Sequence, residues 1–177
     1  VHPIVKTDDI KRHIRDIPDF PRKGILFRDI TPALRDPSTF AAICDAFVDR
    51  YRGGGVDAVV GIEARGFFFA SVAAYRLGLP LIPLRKPGKL PWKTVSRTYD
   101  LEYGSSTIEM HRDAVGRGDR VVIIDDLLAT GGTAAAAASL IEEQGGSIVE
   151  LSFAIELTDL GGRAVLGARP VFSLLSY

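Results

Sequence analysis

The sequence predicts an α/β fold, with a mostly parallel central sheet flanked by helices. Three features point that way. "VDAVVGI" and "RVVIID" are continuous branched-aliphatic runs, the pattern of strands buried on both faces of a sheet. Each leads into a segment of helical composition, "RGFFFASVAAYRL" in one case and residues 133–144 in the other. Each helix ends at glycine and a further apolar run follows, "PLIPL" and then "SIVELSFAIEL". Alternating strand and helix in this way makes two βαβ units and a parallel sheet.

The elements follow in order. "TDDIKRHIRDI" reads as a short helix capped by Thr7, with Asp8 and Asp9 at its positive end and Ile10, Ile14 and Ile17 on one face. "PDFPRKGILFRDITPAL" is punctuated by proline and reads as an ordered loop. Asp36-Pro37 starts the next helix, whose Phe40, Ile43, Phe47, Val48 and Tyr51 lie near one face and which Gly53-Gly54-Gly55 ends. Residues 85–100 separate the βαβ units. That stretch is too long and too rich in proline and glycine to be a plain connection, which points to a functional loop.

Composition narrows the function classes. At 177 residues the chain suits one domain, and 46% hydrophobic with 25% charged residues is ordinary for a globular protein. Twenty-two basic and 22 acidic residues cancel, so no global field recruits nucleic acid or an anionic membrane, and any anion site must be built locally. Cys44 is the sole cysteine, which precludes an intrachain disulfide and favours a cytoplasmic setting. No apolar run approaches the ~20 residues of a membrane span. "VHPIVKTDDIKRHI" carries acids and no apolar core, unlike a secretory signal. Three histidines and one cysteine lack metal-ligand spacing, so zinc is not expected. His111 reads as a strand-end residue, and "RGD" at 117–119 as a turn.

"VVIIDDLLATGGT" (residues 121–133) carries the chemistry. Asp125 and Asp126 stand where a buried strand emerges, at the end of the sheet where open α/β folds bind ligands. Paired carboxylates accept hydrogen bonds from vicinal hydroxyls and attract a divalent cation. Ala129, Thr130, Gly131, Gly132 and Thr133 then offer N–H groups and hydroxyls at a helix N-terminus, where phosphate binds. A diol beside a phosphate means a ribose phosphate. Neither a Walker A loop nor a G-x-G-x-x-G fingerprint is present, which argues against nucleoside triphosphates and dinucleotides. The basic residues Arg85, Lys86, Lys89, Lys93 and Arg97, with no acid among residues 85–97, form a local cationic patch suited to an anionic leaving group.

The strand followed by Asp-Asp and Ala-Thr-Gly-Gly-Thr resembles the phosphoribosyl pyrophosphate (PRPP) motif of type I phosphoribosyltransferases. "DFPRKGILFRDITPAL", "GIEARGFFFA", "RKPGKLP", "YDLEYG", "DDLLATGGT" and "IEL" resemble, in order and spacing, the adenine phosphoribosyltransferases, over nearly the whole chain. The resemblance implies one domain with an N-terminal hood at about residues 1–35 and a flexible active-site loop at 85–100. It implies transfer of 5-phosphoribose from PRPP to adenine, giving AMP and pyrophosphate, with Mg2+ bound alongside PRPP and Asp125 and Asp126 facing the metal directly or through water.

The same resemblance assigns further roles. Glu102 is the proton-transfer residue on the purine, with Tyr103 beside it, since a ring nitrogen must lose a proton as it bonds to ribose. Arg65, Arg85, Lys86 and Lys89 contact pyrophosphate, some from a neighbouring subunit of a homodimer. Phe27 stacks on adenine, backbone groups of Leu26 and Arg28 read its edge, and Leu127 or Leu128 covers its other face. Enzymes of this fold that take 6-oxopurines carry a lysine near the oxo group. No such lysine stands beside these aspartates, so adenine is preferred over a 6-oxopurine. A non-catalytic PRPP-sensing regulator on the same fold is the rival reading. It would need a nucleic-acid surface, and the chain has neither a basic excess nor an appended helix-turn-helix.

Overall fold

A computed structural model describes residues 7–100 and 104–177, in two compact units that divide between Ala46 and Phe47. In the first unit, helix α1 (Thr7–Lys11) carries Asp8 and Asp9 in its first turn, where acids suit the positive end. It is shorter than the isoleucine spacing implied: Ile10 is buried on it and Ile14 beyond it, but Ile17 belongs to strand β1 (Arg15–Pro18). Nor is the proline-rich segment one loop. β1 pairs antiparallel with β2 (Leu26–Asp29), Arg15 opposite Asp29 and Pro18 opposite Leu26, and helix α2 (Thr31–Arg35) follows. Pro18 stands at a strand end and Pro32 in a first helical turn, positions where a missing N–H costs little.

Asp36 caps helix α3 (Pro37–Tyr51) as expected, accepting the Ser38 hydroxyl and the Thr39 N–H, each at 2.7 Å. Those bonds, the Ser38 hydroxyl's first, pull its carboxyl down to about 2. The Thr39 hydroxyl also lies 3.2 Å from His13 Nδ1, which joins the start of α3 to the N-terminal unit. The first compact unit extends through the start of α3 to Ala46.

In the second unit strand and helix alternate as expected. The elements are β3 (Ala58–Ile62), α4 (Gly66–Leu77), β4 (Leu81–Leu84), β5 (Thr94–Asp100), β6 (Ser105–His111), β7 (Arg120–Leu128), α5 (Gly132–Glu143), β8 (Ser147–Glu156), a 3-10 turn (Thr158–Leu160), α6 (Gly162–Val165) and β9 (Val171–Ser176). Five strands form an all-parallel sheet in the order β4-β3-β7-β8-β9. Val121, Val122, Ile123 and Ile124 of the central strand are wholly buried, because helices cover both faces. On one face Val60, Ile123 and Phe153 pack with Ala137, Leu140 and Ile141 of α5. On the other, α4 comes so close that a Cβ on Gly61 would lie 2.8 Å from the Ala70 Cβ.

The basic segment is irregular only in its first half. Residues 94–100 are β5, paired antiparallel with β6 from Thr94 opposite His111 to Asp100 opposite Ser105. Thr94, Val95, Thr98 and Tyr99 are strand formers, but a strand needs a partner, and the partner, β6, lies farther along the chain. Among the described residues no helix is long and apolar enough to cross a membrane.

Candidate active site

β7 outruns one of its neighbours. Beside β3 its pairing ends at Ile124 opposite Gly61, whereas beside β8 it continues through Asp125 opposite Phe153 to Leu128 opposite Glu156. Asp125 and Asp126 thus lie within the strand rather than after it, along an edge that β3 has already left. α4 begins against this edge. A Cβ on Gly66 would meet Asp125 Oδ1 at 2.7 Å and the Ile124 carbonyl oxygen at 2.9 Å, so the close approach needs glycine. Arg65, at the cap of α4, donates from Nε to Asp126 Oδ2. The Asp126 N–H donates to Asp125 Oδ1 at 2.8 Å. Burial, and then the Asp126 carboxylate beside it, push the Asp125 carboxyl well above the ordinary carboxylate range. Such a pair favours added hydrogen-bond donors or positive charge.

The turn after β7 rests glycine on glycine. Gly131 takes φ 84°, and a Cβ there would lie 2.5 Å from the Gly162 carbonyl oxygen. A Cβ on Gly162 would in turn lie 2.1 Å from the Ala129 carbonyl oxygen. α5 then starts at Gly132 with no side chain capping it, so the N–H groups of its first turn are available to an anion. Thr133 Oγ1 lies 3.0 Å from the Tyr99 hydroxyl on β5. These parts enclose a cavity of about 420 Å³, lined by residues 62–65, Lys86 and residues 125–134.

Lys86 reaches the cavity from the basic segment, next to Glu63. The Glu63 carboxylate accepts the Lys86 N–H at 2.9 Å, Arg85 Nε at 3.1 Å and Arg85 Nη2 at 3.4 Å. The bond from the Lys86 N–H, opposed by burial and aided by the Arg85 guanidinium, holds the Glu63 carboxyl below its usual range. Arg85 Nη1 donates to the Lys89 carbonyl oxygen at 3.3 Å. A smaller cavity of about 230 Å³ adjoins the first, adding Arg85, Tyr99, Ser106 and Ile108 to Ile62, Glu63, Lys86 and Thr133, which line both.

Of the residues named from the sequence, Arg65, Lys86, Asp125, Asp126, Leu127, Ala129, Thr130, Gly131, Gly132 and Thr133 line the main cavity together. Leu128 borders it too, but its side chain is buried in the α5 core cluster, with Cδ1 3.0 Å from where a Gly162 Cβ would stand. Arg85 turns to Glu63 and lines the smaller cavity rather than the main one, and Lys89 lines neither. The opposite charge on Glu63 decides this, and the run of basic residues gave no sign of it. Leu26, Phe27 and Arg28 lie on β2 of the N-terminal unit, where Phe27 packs edge-on against Phe20 at 5.2 Å and Arg28 donates to Asp16. Glu102 and Tyr103 lie outside the described residues.

His111 ends β6, as expected. Among the described residues no group of three or more His, Cys, Asp or Glu side chains is arranged to hold a metal ion. Two further residues stand at the cavities, Glu63, which the sequence marks less clearly than Arg65, and Tyr99. Glu63 immediately follows β3 at the ligand-binding end of the sheet, which was a usable signal. Tyr99 had none until β5 was placed.

A family model of the phosphoribosyl transferase domain matches residues 33–159. The chain is 58% identical over 169 residues to an adenine phosphoribosyltransferase of Solibacter usitatus, covering 96% of this chain and 98% of that one. Its fold superposes on the crystal structure of adenine phosphoribosyltransferase from Thermoanaerobacter pseudethanolicus with a TM-score of 0.94, at 48% identity and 97% and 100% coverage of the two chains. The Saccharomyces cerevisiae enzyme, crystallised with D-2,5-dideoxy-2,5-imino-altritol 1,6-bisphosphate and adenine, gives 0.90 at 40% identity, covering 95% of this chain and 97% of that one.

Proposed function

The chain belongs to the adenine phosphoribosyltransferase family, and we infer that it transfers 5-phosphoribose from PRPP to adenine, giving AMP and pyrophosphate. One cavity brings together a carboxylate pair, an uncapped helix N-terminus and the side chains of Arg65 and Lys86. Carboxylates suit the ribose hydroxyls, helix N–H groups the 5-phosphate, and cations the pyrophosphate. Together they describe PRPP.

Breaking the bond to pyrophosphate develops positive charge at the ribose 1-carbon and negative charge on the leaving group. Asp125 and Asp126 would stabilise the first, Lys86 and Arg65 the second, while the turn at residues 129–133 holds the phosphate still. The protein supplies position and electrostatics rather than a covalent nucleophile. Mg2+ would enter with PRPP and neutralise part of the leaving group's charge. Two carboxylates fit a metal that brings substrate oxygens and waters with it. Glu102 is proposed to move the purine proton, Phe27 to stack on the base, the backbone at Leu26 and Arg28 to read its edge, and Leu127 to cover its other side. These roles rest on the motif resemblance, as do a homodimer and the use of some loop cations across it. A cytoplasmic location is proposed as well, on the lone buried Cys44.

Purified protein supplied with PRPP, Mg2+ and adenine, hypoxanthine or guanine tests the reading. AMP is expected to form, with IMP and GMP slower by roughly 100-fold or more. Comparable rates for a 6-oxopurine overturn the adenine assignment, and no nucleotide from any base overturns the transfer.

A further inference from the structure

On the reading that the turn at residues 129–133 holds the 5-phosphate of PRPP, we infer that Glu156 and Arg163 are positioning residues for that turn. They fix the short helix α6 behind it, and the Gly162 peptide at the start of α6 sets where the phosphate-binding N–H groups stand.

The turn does not set its own height. Gly131 takes φ 84°, and no side chain caps the helix that follows. Behind the turn lies the Gly162 peptide. It is so near that a Cβ on Gly131 would strike the Gly162 carbonyl oxygen, and one on Gly162 would strike the Ala129 carbonyl oxygen. With no slack between the two backbones, a shift of α6 by a fraction of an ångström either pushes the turn or leaves a gap behind it.

α6 has four residues, far below the ~12–15 at which a helix begins to persist alone, so its place is set by side chains. Leu166, just beyond it, is buried in the α5 core cluster. Arg163 fixes its direction. Nε donates to Glu156 Oε1 at 3.1 Å, Nη2 to Glu156 Oε2 at 2.6 Å and Nη1 to the Val171 carbonyl oxygen at 2.9 Å. One planar guanidinium thus ties α6 to the β8 and β9 strands at once, which a lysine cannot reproduce. Glu156 is the buried, fixed end of the clamp. It stands opposite Leu128, the residue before the turn, and the next N–H, that of Leu157, donates to the Leu128 carbonyl oxygen at 2.9 Å. The Arg163 bonds, opposed by burial, hold the Glu156 carboxyl below its usual range. The strand end that the turn leaves and the helix that it rests on therefore share one anchor. The pair neutralises itself and lines neither cavity, so it acts on a phosphate through geometry rather than charge.

Arg163→Lys, Glu156→Gln and Gly162→Ala test this by calorimetry with AMP and with adenine. Each change should weaken AMP roughly tenfold, short of the ~100-fold that a 1 Å misplacement can cost, and leave adenine unmoved. Steady-state kinetics should show KM for PRPP rising by a like factor while kcat and KM for adenine hold, the mark of lost uniform binding. In ligand-free protein the Ala135 N–H donates to the Gly131 carbonyl oxygen at 2.9 Å, and it should exchange faster in Arg163→Lys than in the wild type. Gly162→Ala reaches the turn without touching the ion pair, so it judges the inference even where an ion-pair variant does not fold. Wild-type AMP affinity in Arg163→Lys would show that the charge alone suffices and overturn the clamp. Equal loss for adenine would reduce the pair to a brace of the whole fold, and unchanged Ala135 exchange would sever it from the turn; either overturns the inference. If the wild type binds no AMP the phosphate reading itself fails, and the exchange measurement, which needs no ligand, still judges the clamp.

Discussion

Two adjacent strands each carry an acid near an arginine, and the outcomes are opposite. On β8, Glu150 accepts Arg50 Nε, Arg50 Nη2 at 2.7 Å and the Tyr51 hydroxyl at 2.7 Å, while the Arg50 guanidinium lies 4.1 Å above the Phe172 ring. Burial pushes the Glu150 carboxyl up, but these bonds outweigh it and the net direction is down. On β7, Asp125 has burial and a second carboxylate against it, and its direction is up. Glu150 is saturated by its own protein. Asp125, held at the cavity, accepts the Asp126 N–H and has a second carboxylate beside it, so added donors or positive charge would stabilise it. A buried acid with all its partners stabilises a fold, and one short of partners is poised for a ligand.

Replacing both site acids, Asp125→Asn with Asp126→Asn, should have the largest effect. Each charge-assisted bond to a ribose hydroxyl or to metal-bound water is worth about 1.5–3 kcal/mol, so PRPP and AMP should bind at least roughly 100-fold more weakly. Calorimetry should find free adenine bound nearly as before. Equal loss for adenine would mean that the pair organises the whole molecule, as Glu150 organises its own region, and the contrast would collapse.

Glu150→Ala should do the reverse, costing about 3 kcal/mol of stability in urea unfolding because it strands Arg50 and Tyr51. That is the lower end for a broken buried pair, since the Arg50 side chain is 40% exposed and keeps some water. PRPP affinity of the folded fraction should hardly move.

The third prediction concerns pH. Glu150 has a depressed folded pKa, so its stabilisation is present above the unfolded carboxylate value and is lost as pH falls through the folded one. Asp125 has a raised folded pKa, so its contribution is present below the unfolded value and is lost as pH rises through the folded one. Glu150→Gln should therefore flatten the acid limb of the stability profile. Asp125→Asn, whose side-chain oxygen can still accept the Asp126 N–H, should make the protein more stable by about 1 kcal/mol at neutral pH while impairing turnover. A less stable Asp125→Asn protein at neutral pH would show that the mouth carboxylate contributes to the fold after all.

The smallest effect should be in the basic segment. Residues 87–92 should gain amide protection when PRPP and Mg2+ bind, because an anion relieves the repulsion among Lys86, Lys89 and Lys93. Residues 94–100 should already be protected by β6 in the free protein. Equal protection of residues 87–92 in both states would mean a preformed site with no closing movement.

The sequence by itself determined what depends on neighbours along the chain. Uninterrupted aliphatic runs meant buried strands, glycine after a helical stretch meant a stop, and Asp36 before Pro37 meant a capped helix. The Asp-Asp and Thr-Gly-Gly-Thr pair was legible for the same reason, since strand end, turn and helix start are contiguous there. Proline spacing misled at β1 and β2, because proline breaks a helix wherever it falls but spares a strand end.

Only the tertiary structure decided which distant residues meet. Arg65 and Asp126 are 61 positions apart and are joined because β3 and β7 are neighbours in the sheet. Arg85 was one cation in a basic run until Glu63 stood beside it, and β5 was a loop until β6 supplied its missing hydrogen bonds. Whether an acid is a brace or a binding group followed from burial and partner count, as Glu150 and Asp125 show. Local pattern sets the backbone's period, but hydrogen bonds and charge act through space, and space is ordered only once the sheet has formed.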